Sequence, residues 1–282
     1  MLAEARRGQI LTLVRAHGSV QVADLIARFA VSEMTARRDI ARLAADGLVD
    51  RVHGGAVLPR EASVAEPGFA AKTTRAVPAK QAIARAAVAL VQPGTAVGLS
   101  AGTTTHAAAG LLTDVPGLTV VTNSLPVAAL LHERGRPDQR VLLTGGERTP
   151  SDALVGPIAL AALEGLHLDT VLLGAHGLDL RAGLTTPTLE ESRVDAALAG
   201  AARRVIAVVD HTKWQVVGLS TAVPLSGVDV LVTDDGLPAP ARTLLAEHVG
   251  RLVVATTPTG ARPAHSAART PSATGQQPPG RP

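Results

Sequence analysis

Between residues 80 and 255, seven short apolar runs rich in β-branched residues alternate with stretches of helix-forming composition. The runs fall at 96–99, 119–121, 141–143, 171–173, 205–209, 228–232 and 252–254, and the helical stretches at 80–91, 127–132, 158–163, 190–202 and 239–247. This alternation predicts a mostly parallel α/β sheet with helices on both faces, because a parallel strand pair needs a crossover to return the chain. In an open sheet of that kind, ligands bind outside the carboxyl ends of the strands. The residues that follow the runs are therefore the candidate site.

Those residues share a chemistry. Ser100-Ala101-Gly102-Thr103-Thr104-Thr105 follows the first run, then Thr122-Asn123-Ser124 and Thr144-Gly145-Gly146. Later come Gly174-Ala175-His176-Gly177, Asp210-His211-Thr212-Lys213 and Thr233-Asp234. Small, hydroxyl and amide residues on one edge, Ser100, Asn123, Gly145 and Gly146 among them, offer donors to an anion without bulky obstruction. The stretch Gly102, Thr103, Thr104 and Thr105 reads as a loop before a helix starting near His106, where free backbone N–H groups and threonine hydroxyls form a phosphate cradle. It is not a Walker loop, since the Gly-Lys-Ser/Thr ending is missing. His176 reads as a solvated loop residue.

The first sixty residues follow a different pattern. Ile10, Leu13 and Val14 recur at helical spacing, then Val22, Leu25, Ile26 and Phe29, and Gly18 separates the two groups. A third helix starts at Ser32, whose hydroxyl can accept from an N–H of the first turn, and stops before Gly47. At about 100° per residue, Ala36, Ile40 and Leu43 share its inner side. Met34, Thr35, Arg38 and Arg42 face out, with Arg37 at the margin. Residues 48–52 followed by Gly54-Gly55 read as a small hairpin, with Arg51 and His53 beside its tip. Arginine is the commonest reader of guanine and threonine can touch a base edge. Ser32 at the helix start suits a phosphate. A short basic helix with a glycine-tipped wing behind it is the layout of a winged helix-turn-helix that enters a DNA groove.

Charge supports that division. Residues 1–60 hold nine arginines against six acidic residues, whereas residues 61–259 hold fifteen basic against eighteen acidic ones. Twenty-four of the basic residues are arginine, and the three lysines are Lys72, Lys80 and Lys213. Where lysine is so rare, Lys80 and Lys213 mark places where a compact ammonium is wanted. Cysteine is absent, which excludes disulfides and thiolate metal sites, and nine scattered histidines show no ligand-like pairing. No metal and no cofactor is expected. No segment approaches the roughly 20 apolar residues that span a bilayer, so a cytoplasmic protein without membrane contact is the expectation. Pro59, Pro67 and Pro78 mark a linker over residues 58–78 between a DNA-binding unit at 1–57 and an α/β unit at 79–257. Pro, Gly, Ser, Thr and Gln dominate 258–282, a disorder-prone composition.

These motifs carry a resemblance. Val31-Ser32-Glu33-Met34-Thr35-Ala36-Arg37-Arg38-Asp39-Ile40 and Arg51-Val52-His53-Gly54-Gly55-Ala56 resemble the amino-terminal signature of the DeoR family of bacterial sugar-metabolism repressors. The second part resembles that family's sensor domain, itself similar to ribose-5-phosphate isomerase, glucosamine-phosphate deaminase and coenzyme A transferases. The matching stretches are 101–105, 121–124, 144–146, 183–186, 190–191 and 210–214. The resemblance implies a phosphorylated sugar or related metabolite as effector, with Gly102, Thr103, Thr104 and Thr105 on phosphate and Glu191, Asp210 and Lys213 on other polar parts. Two positions depart from the family pattern: Ser100 stands where aspartate is common, and Asp195 where lysine is common.

The expected function is that of a sequence-specific transcriptional regulator, a repressor of carbohydrate-metabolism genes and not an enzyme, whose grip on a double-stranded operator depends on the effector. As a homo-oligomer it would set two recognition helices about 34 Å apart, in successive major grooves. The alternative is an isomerase or deaminase with a DNA-binding appendage, using Glu191, Asp210 and Lys213 as acid, base and anchor.

Overall fold

The structure is a computed structural model that describes residues 3–17, 19–45, 48–52, 54–57 and 68–258. His53, Gly18, Gly47, Pro59, Pro67, most of the expected linker and the tail from 259 lie outside the described residues.

The N-terminal unit comprises α1 (Ala3–His17), β1 (Ser19–Gln21), α2 (Val22–Phe29), α3 (Glu33–Ala45), β2 (Asp50–Val52) and β3 (Gly55–Val57). The strands form an antiparallel sheet in the order β1-β3-β2. Ile10 and Val14 from α1, Leu25 from α2 and Ala36, Ile40 and Leu43 from α3 pack with Val49 and Ala56 into one core. The expected inner stripe of α3 is therefore the buried one. The hairpin at β2 and β3 is present, and β1 adds a third strand that a three-residue run did not announce.

The second unit begins with α4 (Phe69–Thr73) and α5 (Val77–Val88). It continues with β4 (Ala96–Leu99), α6 (Thr103–Leu112), β5 (Thr119–Thr122), α7 (Leu125–Arg134), β6 (Arg140–Leu143), β7 (Glu147–Arg148), β8 (Leu154–Val155) and α8 (Pro157–Leu163). Then follow β9 (Thr170–Leu173), β10 (Gly177–Asp179), β11 (Gly183–Thr186), α9 (Leu189–Gly200), β12 (Val205–Val208), β13 (Ser220–Val223), β14 (Val230–Asp234), α10 (Ala239–Ala246) and β15 (Leu252–Ala255). All seven expected runs become strands of one parallel sheet in the order β15-β14-β12-β9-β4-β5-β6.

Both faces of the central strands are buried, whereas the edge strand β6 is exposed throughout. In β12, Val205 and Ala207 point into the layer that holds α8, α9 and α10, while Ile206 and Val208 point into the layer that holds α5, α6 and α7. The chain starts at β4, adds β5 and β6 on one side, then returns to lay β9 against the other side of β4. The strand order thus reverses between β4 and β9, where neighbouring connections leave in opposite directions and open a crevice.

Three expectations need correction. Residues 68–78 are not all linker: α4 packs on α6 through a Phe69–His106 edge contact, and Pro78 sits in the first turn of α5, where its missing N–H costs nothing. Helix α6 starts at Thr103 with Gly102 as its cap, so Thr103, Thr104 and Thr105 form its first turn and not a loop. His176 is buried rather than solvated, because a second antiparallel sheet, β10-β11-β13, folds over the end of β9.

Candidate functional site

Helix α3 begins as the residue types require. Ser32 Oγ accepts from the Thr35 N–H at 3.3 Å and lies 2.9 Å from Thr35 Oγ1, satisfying a donor the helix itself cannot. Outward from the buried stripe stand Met34, 72% exposed, with Arg37, Arg38 and Arg42 also exposed and Thr35 half-buried. The arginines are not equivalent. Arg37 is tied to Glu33 one turn earlier, with Nε–Oε1 at 2.8 Å and Nη2–Oε1 at 2.7 Å.

The same helix holds a residue whose role its motif does not announce. Asp39 is buried between α3 and α1, with Arg6 Nε at 2.6 Å and Arg7 Nη1 at 3.8 Å. It is an anchor, and it fixes the rotation of α3 so that Arg38 and Arg42 face away from the domain. In the wing, Arg51 is exposed on β2 and Gly54 takes a left-handed φ of 87°. Gly55 is buried, and a Cβ there would collide with the Val20 carbonyl oxygen across the β1–β3 pair. Its place explains glycine by close packing of backbones.

The second group of site residues meets at the carboxyl ends of the parallel strands. Ser100, wholly buried after β4, accepts from the Gly174 N–H after β9 at 3.0 Å and so pins the two sides of the strand-order reversal. Asn123, after β5, accepts from the Ala101 N–H at 3.0 Å and donates to the Leu154 carbonyl at 3.2 Å. Thr105 turns its hydroxyl onto the Gly102 carbonyl at 2.9 Å, leaving half-buried Gly102 and Thr103 at the open lip of α6. Gly145 and Gly146 both take positive φ after β6, and a Cβ on Gly146 would strike the Val155 carbonyl.

Charged groups flank this frame. Asp210, buried after β12, accepts from the Thr212 N–H at 3.0 Å and the Thr212 hydroxyl at 2.5 Å, which caps the short turn His211–Lys213. Half-buried Lys213 closes that turn. Lys80, in the first turns of α5, is buried beside them. Burial pushes its pKa down to about 8, with the Asp210 carboxylate opposing and the charges of Lys213, Arg75 and Lys72 adding to the fall. On the other wall, Glu191 in the first turn of α9 accepts from Thr149 Oγ1 at 3.0 Å and Ser151 Oγ at 2.5 Å. Burial, helped by the Glu191 charge, raises the pKa of Asp195 well above its ordinary value.

His211 Nδ1 lies 2.6 Å from Asp234 Oδ2, a contact that joins the ends of β12 and β14. The hydrogen bond that the His211 ring donates to the Asp234 carboxylate raises the His211 pKa against the effect of burial. Burial pushes Asp234 up, but hydrogen bonds from the His211 ring and backbone hold it below its ordinary value. The carboxylate's contribution is lost as pH falls through its lowered pKa, and the histidine's as pH rises through its raised one. Both are in force between about pH 4 and 6.5, the ordinary values of the two groups. We expect Asp234→Asn to lower the melting temperature most in that interval, with the difference from wild type shrinking at higher pH. A difference that stays constant from pH 5 to about 9 would show that the pair does not titrate as a unit.

The structure therefore gathers Ser100, Gly102, Thr103, Asn123, Asp210 and Lys213 along one edge, with Gly145 and Gly146 at its β6 end and Glu191 on the α9 wall. Lys80 joins the group although its strand-end position could not be read from the chain; its rarity in an arginine-rich sequence was the available signal. Asp234 follows a strand run in the sequence, whereas Thr149 and Ser151 carry no signal. Two shallow depressions of about 330 and 300 Å³ lie elsewhere, around His167, Gly200 and Ala201, at the amino ends of β9 and β12 where no such polar set converges. Among the described residues, no three His, Asp or Glu cluster as metal ligands, and no helix is long and apolar enough to cross a membrane.

Comparison with known proteins falls on the same two units. A DeoR-like helix-turn-helix domain matches residues 6–62, and a DeoR C-terminal sensor domain matches residues 75–235. The chain is 38% identical over 256 residues to an uncharacterized HTH-type transcriptional regulator of Escherichia coli K12, YgbI, covering 90% of this chain and 99% of that one. It is 34% identical over 244 residues to the glycerol-3-phosphate regulon repressor of the same organism, covering 86% and 95%. A solved D-ribose-5-phosphate isomerase in complex with phospho-erythronic acid matches 48% of this chain and 52% of that one, at 18% identity and a TM-score of 0.36.

Proposed function

This chain belongs to the DeoR family of transcriptional regulators, and from that premise we propose that α3 reads an operator of carbohydrate-metabolism genes while a phosphorylated sugar or related metabolite in the crevice controls its grip. The observation that carries the DNA half is the exposed face of Thr35, Arg37, Arg38 and Arg42, held outward by the buried Ala36, Ile40 and Leu43. Ser32, Arg51 and Gly54, with His53 from outside the described residues, serve phosphate and wing contacts, which position the helix without reading sequence. The effector half rests on the open start of α6 at Gly102 and Thr103 and on half-buried Lys213 after β12, which lie at the carboxyl ends of strands of the same parallel sheet. A relative named for the glycerol-3-phosphate regulon supports a small phosphorylated polyol or sugar as the class of ligand.

The protein acts in the cytoplasm as a homo-oligomer, since two half-sites need two recognition helices. A second copy finds an apolar contact at the edge strand β6, where Val141, Leu142 and Leu143 are exposed. Turnover of the ligand is not expected, because Ser100 supplies a hydroxyl where a proton-transferring carboxylate would be useful, and Glu191 is already engaged by Thr149 and Ser151.

The test is an anisotropy titration of promoter DNA with and without a panel of sugar and polyol phosphates. At least one should weaken operator binding. Lys213→Ala should leave ligand-free DNA affinity unchanged and shift the ligand concentration for release upward by about tenfold, the worth of one charge-assisted hydrogen bond. Equal DNA affinity with and without every ligand would overturn the effector reading.

A further inference from the structure

Helix α4 is the first described element after the DNA-binding unit, so the N-terminal half is tethered where α4 sits. Between α4 and α5 the chain turns at Ala76, which takes φ 49° and ψ 37°, a left-handed conformation without the glycine that would make it inexpensive. One side-chain hydrogen bond spans that turn, onto a Lys72 carbonyl that also accepts from the Arg75 N–H at 3.3 Å. The Lys80 N–H donates to the Ala76 carbonyl at 3.0 Å, and Lys80 Nζ donates to the Lys72 carbonyl at 2.7 Å. Lys80 is only 6% exposed, so its ammonium has few alternative partners in water. The same ammonium faces the Asp210 carboxylate at the end of β12, with Lys213, Arg75 and Lys72 as the other charges around it.

We propose that Lys80 is the positioning residue that carries occupancy of the crevice to the DNA-binding half. This rests on the effector reading above. An ammonium has three N–H donors, one of which holds the Lys72 carbonyl at the end of α4. An anion seated beside Lys213 attracts the ammonium away from that carbonyl. The turn at Ala76 then loses its side-chain tie, and α4 is held more loosely, by the Arg75 N–H on the Lys72 carbonyl and by the Phe69–His106 contact. The ligand shifts the balance because it gains the Lys80 charge only in the released arrangement, which is the differential affinity a switch requires. Lys80 therefore acts through Lys72 and Ala76, and ligand binding itself is carried mainly by Lys213 and the α6 lip.

The experiment uses the full chain and Lys80→Met, nearly the same length and uncharged. Without ligand, hydrogen exchange of residues 68–76 should quicken about tenfold in the variant, the equilibrium share of one buried hydrogen bond, while β9 and β12 keep their wild-type protection. With glycerol 3-phosphate as probe, the wild type should show faster exchange at 68–76 and weaker operator binding. Lys80→Met should still bind the probe by calorimetry, yet its operator affinity should no longer respond. If methionine prevents folding, Lys80→Gln repeats both arms. Unchanged exchange at 68–76 would overturn the clamp. A variant that still releases DNA on adding probe would overturn the transmission, and one that folds but binds no probe would make Lys80 a ligand contact instead. A wild-type chain that binds no anion would remove the effector reading and the transmitted signal together, and the ligand-free exchange would then judge the clamp alone.

Discussion

Asp39→Ala is expected to abolish operator binding by unfolding the N-terminal unit, although Asp39 touches no outward face of α3. Its carboxylate lies 2.6 Å from Arg6 Nε, and the two side chains are only 5% and 11% exposed. Removing one partner of a buried pair costs about 3–5 kcal/mol, because the other charge stays in a poorly solvating place. A unit of this size holds roughly 3–8 kcal/mol in all, at ordinary per-residue stability. The loss therefore competes with the whole. Calorimetry or circular dichroism should show the melting transition of the helical unit lowered or missing while that of the α/β unit remains. The double variant Arg6→Met with Asp39→Leu should recover both fold and DNA binding, since an apolar pair of similar volume can replace a buried ion pair without penalty. If Asp39 instead contacted DNA, the double variant would fold and still fail to bind. An unchanged melt in Asp39→Ala would show that the pair contributes little.

The strong anchoring of Asp39 also marks where the chain was readable and where it was not. The central parallel strands were legible because a strand buried on both faces must be apolar at consecutive positions, as in residues 171–173 and Val205–Val208, and β6 carries the same kind of run although it is exposed at the sheet edge. The stripe of Ala36, Ile40 and Leu43 was legible by its period. In contrast, β10 and β11 are short, begin with glycine and derive their shape from each other: a Cβ on Gly177 would meet the Thr185 hydroxyl of β11. No local pattern reports that kind of long-range fit. The start of α6 was displaced because three threonines resemble a loop, yet their hydroxyls can bond back to helix carbonyls, as Thr105 does to Gly102. Pro78 was read as a linker signal when it was a helix-start signal, the two being identical without knowledge of what packs nearby.

The site followed the same division. Positions at the ends of strands could be placed on one edge as soon as the strands were known, which is how Ser100, Asn123 and Asp210 were found. Their pairings could not, because Gly174 and Leu154 are brought to Ser100 and Asn123 by the order of strands in the sheet, and Thr149 to Glu191 by α9, neither of which a single chain displays. Lys80 was noticed for its rarity alone; the helix turn that delivers it to Asp210 lies outside any strand end. Buried polar residues are the hardest class to read, since a motif gives their identity but not whether they face a ligand or the core.

Arg38→Ala should weaken specific operator binding by about 1–3 kcal/mol, or roughly 5- to 150-fold, and relax the preference for one base pair. Geometry separates Arg38 from its neighbour. Arg37 is held by Glu33 through two contacts below 3 Å on an exposed surface, and to meet DNA it must leave that partner or carry it along. Such an exposed i,i+4 pair is worth only about 0.3–0.5 kcal/mol, so Arg37 is available, but as a phosphate contact at the margin of the face. Arg38 is exposed on the central face, where the groove floor lies when α3 is inserted. The two variants should accordingly differ in kind. Arg37→Ala should weaken specific and non-specific DNA alike and reduce the slope of log K against log salt by about one. Arg38→Ala should leave non-specific affinity nearly unchanged and collapse the ratio of specific to non-specific binding. Thermal melts of both variants should match wild type, because neither side chain enters the core of Ile10, Leu25, Ile40 and Leu43. Titrations at two salt concentrations against an operator and a scrambled duplex decide the matter. If Arg38→Ala lost affinity equally for both duplexes, α3 would be gripping the backbone with its central face, and sequence reading would have to come from the wing.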